Sequence, residues 1–200
     1  MLKVIGKATS INVRKVLWTC AELGLPFERE EWNEAAHAAL NPNRMVPVLV
    51  DEGLVLWESN TISRYLCTRY DGEALLPRAP AARAQVEQWM DWQATELNTA
   101  WRYAFMALVR ASPLHTDAAQ IAASSASWNR HMGILDAQLA ATGAYVCGPD
   151  FTLADIVLGL SANRWLMTPM TRPDYPQVAA WIARLEARAA CRLYGRNGIP

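Results

Sequence analysis

The segment Trp57-Glu58-Ser59-Asn60-Thr61 follows an apolar run and precedes a helical one. It offers more capping side chains than one helix start needs. Ser, Asn and Thr are all good N-caps, and an acid suits the positive end of the helix dipole. The same residues have a second chemistry. Free N–H groups at a helix N-terminus bind a carboxylate, Ser59 adds a hydroxyl, and Glu58 can accept from an ammonium. Anion and cation sites side by side suit the α-amino and α-carboxylate end of an amino acid. Spacing alone leaves both readings open.

Two further segments have the same double character. In Asn43-Arg44-Met45-Val46-Pro47, proline opens a short apolar run, as a strand's first residue allows. Were the Val46–Pro47 bond cis, a minority state for X–Pro, the valine backbone would turn outward and could pair with an extended ligand. Near the N-terminus, Thr9, Ser10 and Asn12 stand where a strand gives way to a helix. A hydroxyl and an amide beside free helix N–H groups stabilise a thiolate; they also cap helices.

These residues must be held by the elements around them. Residues 2–5 form an apolar strand, and Val13, Val16, Leu17, Cys20 and Leu23 recur at helical spacing until Gly24 and Pro26 stop the helix. Residues 26–32 alternate as a second strand. Residues 47–50 and 54–57 are apolar runs around Asp51-Glu52-Gly53, a hairpin signal. Residues 61–70 form a helix. The order β-α-β-(α)-β-β-α predicts a mixed sheet with helices on both faces.

Residues 71–84 read as a linker, with Gly72, Pro77 and Pro80. Beyond it strand signals vanish, and helical stretches run through 82–111, 116–142, 152–168 and 175–194. This is an α/β domain followed by an all-α helical bundle domain. Thr152 and Asp155 have the spacing of a capping box, with Phe151 as a staple, and are read as structural.

Composition narrows the function. Of 200 residues, 52% are hydrophobic, enough for a sizeable core, and 19 basic residues balance 19 acidic ones. That balance gives no electrostatic footprint for nucleic acid or an anionic membrane. No signal peptide is evident, and no apolar stretch approaches the ~20 residues of a membrane helix. Cys20, Cys67, Cys147 and Cys191 are scattered, which reads as reduced thiols of a cytoplasmic protein. His37, His115 and His131 lack ligand spacing, so no metal site is expected. No G-x-G-x-x-G, P-loop or G-x-S-x-G motif occurs.

Taken together, Ser10 four residues before Arg14, the run from Asn41 to Leu66 with its Val-Pro-x-Leu and Glu-Ser-x-x-Ile elements, and the Thr-x-Ala-Asp box at 152–155 resemble the cytosolic glutathione transferases, of the bacterial serine-type or theta/nu-like kind. The resemblance covers almost the whole chain. It implies a thioredoxin-like domain at residues 1–75 that holds glutathione as co-substrate, and a helical domain at 82–200 that shapes the pocket for a hydrophobic electrophile. It assigns Glu58 and Ser59 to the γ-glutamyl end, Val46 and a cis Pro47 to the cysteinyl unit, and Arg44, with Trp32 beside it, to the glycyl carboxylate. The family activates the thiol with Tyr, Ser, Cys or a Thr/Asn pair, depending on class. No tyrosine occurs in residues 1–20 and Cys20 lies well inside its helix, so Ser10 is expected to act, with Asn12 as co-donor and Thr9 in reserve. Trp101, Tyr103, Met106 and Trp165 are expected in the electrophile pocket, although helical aromatics also build cores. Arg102 could meet an anionic substrate or simply be solvated. The resemblance further implies a homodimer; Trp89, Met90 and Trp92 would suit an interface or an internal core. Rival readings are a glutathione-dependent dehalogenase, isomerase or disulfide reductase, and a non-catalytic binding module of the same fold.

Overall fold

Strand β1 (Lys3–Ile5) pairs in parallel with β2 (Glu28–Glu30) and antiparallel with β3 (Val48–Asp51), which pairs in turn with β4 (Leu54–Trp57). The resulting order is β2-β1-β3-β4, in a computed structural model that describes all 200 residues. Parallel pairing of β1 and β2 requires a crossover, and α1 (Ile11–Glu22) supplies it. The hairpin between β3 and β4 turns through Glu52 and Gly53, both at positive φ.

Alternation along the strands sorts their side chains. Val4, Leu49 and Leu56 are cross-strand neighbours on one face, packed against Val13, Val16 and Leu17 of α1 and Ile62 and Leu66 of α3 (Ser59–Arg69). The opposite face carries Ile5, Val48 and Trp57. Only the four-residue α2 (Glu34–His37) and the turn Ala38–Leu40 approach it, where His37 Nε2 lies 2.9 Å from Glu30 Oε1. Helical cover on this face is therefore far slighter than on the first. Val55 and Trp57 remain more than a third exposed.

From Pro80 onward the chain is helical. The stretch expected at 82–111 is α4 (Pro80–Trp92), a π turn (Gln93–Leu97) and α5 (Asn98–Leu108). The π turn begins at Gln93, whose amide is buried among polar partners rather than left on the surface. Then follow α6 (Ala118–Thr142), α7 (Leu153–Met167) and α8 (Pro176–Glu186). The last expected helix, 175–194, ends at Glu186, and a separate π turn covers Cys191–Gly195.

Helix α7 is the axis of this half. Every residue from Leu153 to Trp165 is buried, so its sequence is apolar all round rather than on one stripe. The Thr152–Asp155 pair starts it as a capping box, with Asp155 Oδ2 2.9 Å from Thr152 N. Asp155 Oδ1 also accepts from Val146 N at 3.0 Å and Trp181 Nε1 at 2.9 Å. Burial raises this carboxyl above the usual range, and those donors oppose the shift.

The two halves join through Trp18 of α1, fully buried in the helical core and 6.2 Å from the Phe151 ring. Gly159 and Gly195 make its slot: a Cβ on Gly195 would stand 2.7 Å from Trp18 Cζ3, and one on Gly159 would stand 3.3 Å from Trp18 Cη2. At the rim, Trp18 Nε1 donates to Glu22, which also receives Arg188. Trp18→Ala empties this slot, and urea unfolding should show a loss of about 3–5 kcal/mol, the range for a buried tryptophan.

Candidate functional site

The sheet register explains how distant segments meet. Ile5 lies opposite Glu30 and Val48, and Val48 opposite Trp57. The residues just beyond this row, Gly6, Pro47, Glu58 and Glu31, all leave the sheet at the same end. The starts of α1 and α3 and the Val46–Pro47 bend therefore share one edge. Gly6 permits the approach: a Cβ there would stand 2.6 Å from Val13 Cγ2 and 2.9 Å from Val46 Cβ.

Helix α3 does not use its surplus of capping residues. Its N-cap is Glu58, at φ 71°, and the Glu58 side chain caps nothing. A non-glycine residue in this region costs energy, and such strain gathers at functional sites. The first backward helix bond is Ile62 N to Glu58 O, at 2.9 Å. The N–H groups of Ser59, Asn60 and Thr61 consequently point out of the helix end. Ser59 is buried beneath them, while the Glu58 carboxylate is exposed.

Ser10 caps α1, and its Oγ accepts a long 3.5 Å bond from Val13 N. Its own O–H proton remains available to another acceptor. The Ile11 and Asn12 N–H groups open the helix, with Arg14 N the first to bond back, to Ser10 O at 3.0 Å. Thr9 is exposed and Asn12 half-buried. Cys20, two turns further on, is fully buried, and burial pushes its thiol up to about 12, which removes it as a nucleophile. Val46–Pro47 is cis. Neither the N–H nor the C=O of Val46 takes part in a backbone hydrogen bond within the chain.

Behind these helix starts lies a polar joint that sequence reasoning did not find. Lys15 of α1 is 2% exposed. Its Nζ donates to Gln93 Oε1 at 2.7 Å and to Asn60 Oδ1 at 3.3 Å. Asn60 Nδ2 donates to the Met90 carbonyl at 3.0 Å. Gln93 Nε2 donates to Asn98 Oδ1 and Ser161 Oγ, and Asn98 Oδ1 also receives Trp101 Nε1. Burial, and then the Arg164 charge, lower the Lys15 pKa to about 7; Glu58 opposes them. The available signal was a pair of cations, Arg14 and Lys15, inside an otherwise apolar helix. Arg14 is also buried, and it donates to Asn197 Oδ1, Ile199 O and Pro200 O.

A cleft of about 490 Å³ runs from Ser10 and Ile11 to α5 and α7. Of the residues expected to line an electrophile pocket, Trp101 and Met106 border this cleft. Tyr103 stands aside, edge to face with His115 and with its hydroxyl accepting from Asp117 N. Trp165 lies in a different cavity and donates to Asn129. Arg44 is exposed and paired with Glu34 at 3.3 Å, and Trp32 Nε1 donates to the same carboxylate at 3.1 Å. Met90 is buried, while Trp89 and Trp92 are half-buried and meet edge to face. No three His, Cys, Asp or Glu side chains are grouped to hold a metal.

A thioredoxin-like sheet domain with helix N-termini at one edge, facing an all-helical domain across a cleft, defines a fold class that comparison makes specific. Residues 4–74 match the sequence model of the glutathione S-transferase N-terminal domain, and residues 118–184 match that of its C-terminal domain. Glutathione S-transferase GstB of Escherichia coli K12 is 37% identical, covering 96% of both chains. Glutathione S-transferase 3 of Zea mays is 34% identical, over 94% of this chain and 90% of that one. The crystal structure of the theta class glutathione S-transferase of Xanthomonas axonopodis pv. citri, with glutathione bound, superposes with a TM-score of 0.91 at 38% identity, covering 100% of this chain and 99% of that one. The chain belongs to the glutathione S-transferase family.

The Lys15 joint has a pH signature. The unfolded amine keeps its proton to about pH 10.4, whereas the folded one loses it near 7. Between those values the unfolded chain binds more protons, so stability rises with pH. From pH 7 to pH 8 this group should add about 1 kcal/mol. Urea unfolding at the two values should show that increment in the wild type and not in Lys15→Met.

Proposed function

We propose that this chain binds glutathione along the shared sheet edge and conjugates its sulfur to a small electrophile held in the adjoining cleft, with Ser10 as the activating residue. The observation that carries this reading is the meeting, at one edge, of two open helix starts and an unpaired Val46 backbone. The Glu58 carboxylate accepts from the γ-glutamyl ammonium. The Ser59 hydroxyl and the free α3 N–H groups take the neighbouring carboxylate. Val46 pairs its backbone with the cysteinyl unit beside Pro47. Arg44 turns from Glu34 to the glycyl carboxylate, with Trp32 nearby.

The Ser10 O–H donates to the sulfur and favours thiolate over thiol, with Asn12 as a second donor and Thr9 behind them. Each unit of thiol pKa lowering corresponds to about 1.4 kcal/mol. The thiol proton goes to solvent. The thiolate then forms a carbon–sulfur bond as the leaving group departs with its electron pair. Holding both reactants in one cleft supplies much of the remaining rate. Trp101 and Met106 give the electrophile an apolar wall.

The reading extends to a homodimer that detoxifies electrophiles in the cytoplasm. The open sheet face with Val55 and Trp57, beside exposed Met45 and Leu54, supports an interface between two copies. Four free cysteines suit a reducing compartment. Titration calorimetry should detect glutathione binding by the wild type. Glu58→Gln should weaken it about tenfold or more, the usual worth of a hydrogen bond to a charged group. Failure of the wild type to bind would overturn the transferase reading and leave a binding module.

A further inference from the structure

The cleft beside Ser10 has an unusual electrostatic character for a pocket that receives apolar electrophiles. Ile11, Trp101, Phe105 and Met106 form its apolar wall, while Lys7, Arg102, Arg110 and Arg164 also line it. No carboxylate lines it. The chain as a whole is neutral, and its ion pairs engage other cations, such as Lys3, Arg64, Arg188 and Arg196. These four cleft cations have no acid partner.

Arg164 is the sharpest of them. It is 4% exposed, and its Nε has no hydrogen-bond partner. Its guanidinium lies 4.0 Å from the Phe105 ring centroid and 4.6 Å from that of Trp101. Ring faces attract a cation, but they do not accept its in-plane N–H donors. A buried arginine ordinarily finds a carboxylate. Burial, and then the Arg14 and Arg110 charges, lower its pKa, and Lys15 is a further cation within its reach. Arg110 sits at the exposed mouth, 5.3 Å from the same Phe105 ring. The missing element is an anion.

We infer that the electrophile itself carries that anion: the cleft selects substrates with an apolar or aryl body, an electrophilic carbon and a carboxylate or sulfonate, the body on Trp101, Phe105 and Met106 and the anion between Arg164 and Arg110. This rests on the transferase reading and narrows its substrate class. The reaction balances without a further reagent. With 4-(chloromethyl)benzoate, the glutathione sulfur bonds to the benzylic carbon, chloride leaves with the bonding pair, and the thiol proton passes to solvent. The carboxylate is unchanged and serves only as the handle.

The test compares 4-(chloromethyl)benzoate with the neutral 4-(chloromethyl)benzamide, each kcat/KM divided by its own uncatalysed rate with free glutathione. The wild type should prefer the acid at least tenfold, and added salt should erode that preference. Arg110→Gln, at an exposed residue, should lower the acid-to-amide ratio about tenfold, as expected for a lost charge-assisted hydrogen bond. Arg164→Gln should lower it further. Equal use of acid and amide would overturn the inference and leave the transferase reading standing. So would an Arg110→Gln effect confined to the KM for glutathione, which would assign the cationic wall to glutathione's own carboxylates. Turnover of neither compound despite calorimetric glutathione binding would also overturn it. Absence of glutathione binding would remove the transferase reading and the inference together.

Discussion

A buried lysine fixes the relation between the two halves of this molecule. Lys15 carries its N–H donors into a buried place, and its acceptors come from different elements: Gln93 from the helical domain and Asn60 from α3. Each acceptor is itself held, Asn60 by the Met90 carbonyl and Gln93 by Asn98 and Ser161. Removing one partner of a buried charge costs far more than an exposed pair contributes. The joint therefore locks the start of α3 to α1 on one side and the α4–α5 helix to α7 on the other. The polar chain runs on to the indole N–H of Trp101, so one network supports the shared sheet edge and the cleft wall together.

The same region concentrates positive charge. Arg14, Lys15 and Arg164 are all buried in a chain of zero net charge. Arg14 donates to carbonyls near the chain's end but leaves its Nε unpartnered, Lys15 donates to amide oxygens, and Arg164 lies against ring faces with its Nε unpartnered. None of the three donates to an aspartate or glutamate side chain. Oriented helix N-termini add to this field, and a low-dielectric cleft strengthens it. A thiolate and carboxylates are the species such a region stabilises.

Most of the fold was readable because its signals are local. Period-two and helical patterning located the sheet, the hairpin and the change to an all-helical half, and Thr152 with Asp155 announced the start of α7. Where sequence and structure differ, tertiary contacts decide. The interruption at Gln93–Leu97 is invisible in an alanine-rich helical pattern, and its first residue, Gln93, meets Lys15 across the domain joint. The slight cover on the second sheet face reflects how little of the polar segment after β2 becomes helix. At the site, Ser10, Val46 and Glu58 stood at helix starts and before a proline, where capping and binding read alike, and the family resemblance supplied their expected roles. Arg164 carried no mark, since a cation within a helix is ordinarily taken for a solvated one, and Lys15 carried only its adjacency to Arg14 in an otherwise apolar helix. Tyr103 and Trp165 illustrate the reverse: helical aromatics carry no mark of which way they face.

The central claim is that the end of the sheet holds glutathione with its sulfur ionised by the opening of α1. The most direct measurement is the ultraviolet thiolate absorbance of bound glutathione against pH, in wild type and in Ser10→Ala. The account predicts a bound thiol that ionises well below the free one, and a variant in which most of that lowering is lost while binding persists. A bound thiol with the pKa of free glutathione, or a lowered one indifferent to Ser10→Ala, would contradict it.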